Sequence, residues 1–176
     1  MSDDDRVTEL RALAHPVRLQ ILSLLTGAEL SAAEVARELG LTHANASYHL
    51  RTLLAAGELT VAGEEHIRGG IAKRYRHEWR RSPAATTTKR RKDATAFVRA
   101  AADELVRRYA ARATGRGAGR TSLTDAELWV APDAYEQARV LIEQASHLLH
   151  DAARPPRTEG TIRVNLTAAA FRMADQ

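Results

Sequence analysis

Apolar residues recur at helical spacing in Ala32, Val35, Ala36 and Leu39, and again in Ala46, Leu50 and Leu53, with Gly40 between the two runs. This spacing turns one face of each segment toward a core. Ser31 precedes the first run and Glu34 follows it by three residues, the sequence pattern of a capping box, while Gly40 suits the left-handed residue that ends a helix. Thr42 can cap the second run, whose other side carries Ala44, Ser47, Tyr48 and Arg51. Residues 30–57 therefore predict two short helices about a tight turn. Such a pair can present its second helix to a DNA major groove.

Upstream, Val7 to Ala14 and Pro16 to Leu25 predict two helices broken at His15-Pro16, since proline suits a first helical position and disfavours helix at the residue before it. Val17, Ile21, Leu24 and Leu25 give the second of these a buried stripe. Downstream, the alternation after Gly57 predicts two strands, with Leu59 and Val61 on the first, Ile71 and Tyr75 on the second and Gly69-Gly70 near the tip. Three helices followed by such a hairpin make a winged helix. Ser82 to Lys92 has no apolar face and reads as a basic linker. Helical spacing returns from Asp93 to Ala113, with Phe97, Ala101, Leu105 and Tyr109 in one stripe suited to helix pairing between subunits. Past a loop rich in Gly and Arg, the pattern predicts a short strand at Glu127 to Val130, a helix at Pro132 to Ala152 and an alternating strand at Thr161 to Met173. That final strand can pair within its own subunit or across a dimer. The expected fold is α+β and mostly α: a winged helix-turn-helix domain at 1–81, a linker at 82–92, and a helical and small α/β region at 93–176 for dimerisation or effector binding.

The formal charge of +4 on 176 residues favours a polyanionic partner only modestly, but its distribution is uneven. Ten Lys or Arg and one acid, Glu78, lie between Arg68 and Lys92, whereas the chain opens with Asp3, Asp4 and Asp5. A basic block is commonly a solvated face, yet this one directly follows the groove-binding helix pair. The chain has no cysteine, which excludes disulfides, thiolate metal sites and cysteine nucleophiles. Neither a membrane span nor a signal peptide is expected, and a cytoplasmic location follows.

Bases are read by side chains near the start of a recognition helix, which here are His43, Ala44, Asn45, Ser47 and Tyr48. Asn45 can pair bidentately with adenine, Ala44 can meet a thymine methyl, and His43 or Ser47 can donate to several bases. Arg51 faces outward one turn later, toward phosphate. His49 borders the buried stripe, so a phosphate contact and a packed core position are both open to it. In the hairpin, Arg68 stands beside two glycines that allow close approach to the DNA backbone or a narrow minor groove, with Lys73 and Arg74 on the return strand.

The segments ALAHPVRLQILSLL, Ala12 to Leu25, and LTHANASYHLRTLLAAGELTV, Leu41 to Val61, resemble the ArsR-like winged-helix transcription regulators. The resemblance spans roughly residues 6 to 80, and the later segment around Leu128-Trp129, with the helix and strand after it, resembles an extension of larger actinobacterial members. It implies a homodimeric DNA-binding repressor released by an effector, and a structural role for Arg18. A dimer of this kind would prefer an imperfect palindrome in double-stranded DNA. Metal sensors of the family commonly carry a cysteine pair where this chain has Ala33-Glu34-Val35-Ala36-Arg37, so thiolate sensing there is excluded.

Other function classes leave weaker marks. Gly115-Arg116-Gly117-Ala118-Gly119-Arg120-Thr121 fits neither the dinucleotide fingerprint nor the phosphate loop, and it follows a predicted helix instead of a strand. No Gly-x-Ser-x-Gly elbow or His-Glu-x-x-His run occurs, so neither catalysis nor a cofactor is expected. A zinc- or nickel-responsive repressor is the narrower alternative, because Glu143, His147, His150 and Asp151 can share one face of the C-terminal helix. The rival to that site is a plain polar face opposite Leu141, Ala145, Leu148 and Leu149. An organic effector near Trp129, Tyr135 and Phe171 is another option, although these rings also suit ordinary core. A pure interaction protein with a winged helix that does not bind DNA is the last alternative.

Overall fold

The computed structural model describes residues 13–67, 70–77, 79, 88–114 and 119–174, the side chains of 88–94 excepted. Helix α1, Pro16–Thr26, starts at the expected break, with His15 extended and its Nδ1 accepting from the Val17 amide at 3.2 Å. A two-residue strand β1, Leu30–Ser31, leads into α2, Ala32–Leu39. Both halves of the capping box form: Ser31 Oγ accepts from the Glu34 amide, and the Glu34 carboxylate accepts from the Ser31 amide at 2.8 Å. Gly40 closes α2 in the left-handed conformation at φ 65°. Thr42 caps α3, His43–Ala55, by accepting from the Asn45 amide. Strands β2, Leu59–Ile67, and β3, Gly70–His77, then form the hairpin.

The sheet order is β1-β3-β2, antiparallel throughout, with Leu30 opposite Tyr75 and a bulge between Val61 and Gly63. One core joins these elements. Ile21 and Leu25 of α1, Val35 of α2, and Ala46, Leu50 and Leu53 of α3 are fully buried, closed from below by Leu59 and Tyr75 of the hairpin. This is a winged helix-turn-helix within an α+β fold. The expected first helix, Val7 to Ala14, falls almost wholly outside the described residues, but Leu13 at its end is buried in this core.

Helix α4, Thr88–Ala110, begins within the stretch read as a linker, so the last five residues of 82–92 are helical. It packs on α1 through a face that takes in Phe97 of the expected stripe and centres on Ala100 and Glu104. Ala100 and Glu104 are its buried positions, whereas Tyr109 is exposed. The Glu104 carboxylate takes hydrogen bonds from Gln20 of α1 and from Arg107 and Arg108 on its own helix. Phe97 of the expected stripe packs against the core and Ala101 and Leu105 are half-buried, so a satisfied buried carboxylate joins the apolar contact.

Helix α5, Pro132–Asp151, forms where its spacing places it but has no buried residue. The two C-terminal strand expectations are not met within the chain: 127–130 and 161–173 are neither helix nor strand. Alternation supplies the pattern of a strand, but a strand also needs a ladder partner, and these segments find none among the described residues. The loop after α5 does return to the winged helix. Arg157 makes a two-oxygen contact with Glu38 at 2.8 and 3.0 Å, and a Cβ on Gly27 would lie 2.6 Å from the Arg154 carbonyl oxygen, so only glycine fits there.

Candidate nucleic-acid interface

The capping box and the left-handed glycine fix the angle between α2 and α3, and burial of Ala46, Leu50 and Leu53 fixes the rotation of α3 about its axis. What remains outward is set by those constraints. His43, Ala44, Asn45 and Arg51 are exposed, Tyr48 is 55 % exposed and Ser47 is half-buried. The first turn of α3 has no acidic residue, so its positive end is open to phosphate. Six of the seven predicted recognition-helix residues thus share one accessible surface.

His49 does not. Its side chain is 8 % exposed and packs against the His15 ring at 4.8 Å between centroids, with Tyr48 edge-on at 5.2 Å. Burial, then the nearby His15 and the Arg18 cation, lower its pKa; burial and Arg18 lower that of His15. A buried, neutral His49 positions the helix and does not reach a groove. Arg18 sits beside this pair, in keeping with the structural role implied for it.

The hairpin separates its cations in the same way. Lys73 is exposed and stands opposite Glu64 in the register, while Arg68 lies outside the described residues. Arg74 is turned inward: it bonds Glu65 at 2.9 Å, pairs with Glu34 at 3.3 Å and also donates to the Glu29 carbonyl. Arg76 approaches Glu29 at 3.6 Å. Arg74 is therefore a clamp between wing and α2, not a free phosphate ligand. Glu29 and Glu34 are the residues sequence reading missed here. The capping role of Glu34 was legible, but its contact with a side chain forty residues away was not.

The residues 13–61 match the family model of the helix-turn-helix domain. The matched stretch runs from Leu13 through α1, α2 and α3 into β2, and so contains every accessible residue of the α3 surface. No curated protein matches the chain.

The C-terminal candidates do not assemble. His147 and His150 face Trp79, the latter stacked at 4.8 Å, and Glu143 is held by Arg139. Among the described residues no three His, Asp or Glu side chains converge on a metal position. Trp129 is 97 % exposed and Phe171 also lies open, so they form no core and no shared pocket with Tyr135. An open cleft of about 400 Å³ lies between α1 and α4, lined by Pro16, Arg99, Ala100 and Asp103. Among the described residues, no helix is long and apolar enough to cross a membrane.

Proposed function

We propose that this protein is a homodimeric repressor of the ArsR-like type, binding an imperfect palindrome through residues 43–56 and its wing. The helix-turn-helix domain makes it a DNA-binding regulator. The finer reading is carried by one observation: α3 keeps its apolar side in the core and turns His43, Ala44, Asn45, Tyr48 and Arg51 to solvent at an end without acidic residues. Asn45 reads adenine, Ala44 a thymine methyl, and Arg51 and Lys73 neutralise phosphates. Two such helices, related by a two-fold axis, meet half-sites about one helical turn apart. The protein acts by binding and not by turnover, in the cytoplasm where its operator lies.

Selection of bound fragments from the host genome tests this directly. A recurrent palindrome is the expected result, with affinity falling on a log-log salt plot by about 0.9 per phosphate neutralised. Retention of no fragment, or a flat salt titration, overturns the reading.

A further inference from the structure

Thirteen large apolar side chains between Leu123 and Met173 are exposed, among them Ile162 at 85 %, Val164, Leu166 and Phe171. Ile162, Val164 and Leu166 alternate with Arg163, Asn165 and Thr167, the period of a strand with one covered face. No backbone–backbone hydrogen bond is made within 162–173 among the described residues. Chains that stay unfolded are poor in such residues, so this composition calls for a cover.

We infer that residues 161–173 form an intersubunit strand, pairing with a second copy of this chain and covering its exposed α5 face. The occupant is a second copy for two reasons. Residues 119–174 hold six Arg and seven Asp or Glu, a near-neutral surface that suits self-association and not a polyanion or a strongly charged partner. The same stretch also supplies both parts of an interface: a strand-forming segment without a ladder and a 20-residue helix, α5, with Leu141, Leu148 and Leu149 uncovered. A two-fold axis joins each to its complement. Arg108 aligns the segment with the winged helix, since it bonds Asn165 at 3.0 Å and Ser23 of α1 at 3.1 Å. This assignment rests on the homodimer reading above and adds which surface makes the dimer.

Sedimentation of the full chain without DNA, with Val164→Pro and Val164→Thr beside it, tests the assignment. Proline removes a ladder donor in both copies, whereas threonine keeps the donor and the strand preference. The expected result is a dimer whose dissociation constant rises by about tenfold or more in Val164→Pro and little in Val164→Thr, with helical circular dichroism unchanged. Amide hydrogen exchange should also slow across 161–173 as the protein concentration rises. A dimer indifferent to Val164→Pro, with 161–173 exchanging freely, overturns the strand assignment while leaving the homodimer reading intact. A wild-type chain that stays monomeric at micromolar concentration overturns both. Fragment selection on the same preparations reports DNA binding separately.

Discussion

At the residue scale, His49 shows how one ring can lie on a reading helix without reading. Its neighbours in sequence, Tyr48 and Arg51, are exposed, but a helical step of 100° turns His49 inward onto His15. Both rings are held below their ordinary pKa of 6.5, so the fold favours their neutral forms. The unfolded chain then binds more protons than the native one as the solution turns acid, and stability rises with pH through this window. Stability is expected to be complete above pH 6.5 and to decline as pH falls below it. His49→Leu should remove much of that slope while leaving the outward face of α3 in place. Urea denaturation at a series of pH values checks this, and an unchanged slope in the variant assigns the pH dependence elsewhere.

At the element scale, the wing and the helix pair are tied by Arg74, and the two adjacent cations of β3 divide their work. Lys73 points to solvent, whereas Arg74 joins Glu65 of β2, Glu34 of the α2 capping box and the backbone before β1. Lys73→Ala should lower the salt slope of DNA binding by about one and barely alter stability. Arg74→Ala should do the reverse, costing about 1 kcal/mol in denaturant unfolding as a partly exposed network is lost. Equal salt slopes in the two variants would contradict this division. The same contrast marks what the sequence could show. Caps, the Gly40 turn, the hairpin and the buried side of α3 are local, set by residues within a few positions of one another, and all were legible. The β1 pairing, the inward turn of Arg74 and the Glu104 contact join residues 40 to 84 apart, with no periodic signature. The strand pattern at 161–173 was legible as alternation, but alternation does not say where the ladder partner is.

At the scale of the whole molecule, a buried carboxylate joins α4 to the winged helix, beside the contacts of Arg157 with Glu38 and of His150 with Trp79. Glu104, 2 % exposed, accepts from Gln20 of α1 and from Arg107 and Arg108, and Arg108 reaches on to Asn165. Burial alone would raise the Glu104 pKa, but the hydrogen bonds from Arg107, Arg108 and Gln20 outweigh it and hold the group at about 2, below its ordinary 4.5. The native state thus favours the ionised form, and its stabilisation is present above pH 4.5 and lost as pH falls from there through about 2. Acid should therefore weaken the protein in two steps, the histidine step below 6.5 and the Glu104 step below 4.5. Glu104→Gln keeps the size and part of the hydrogen bonding but leaves two guanidinium groups without their counter-charge, at a cost of about 2 kcal/mol at neutral pH. It should flatten the lower step alone, because burial, His15 and the Arg18 cation set the histidine shifts and Glu104 has no part in them. Denaturant midpoints between pH 7 and pH 3 for wild type and Glu104→Gln separate the two, and a lower step of undiminished height in the variant would move its origin to another carboxylate.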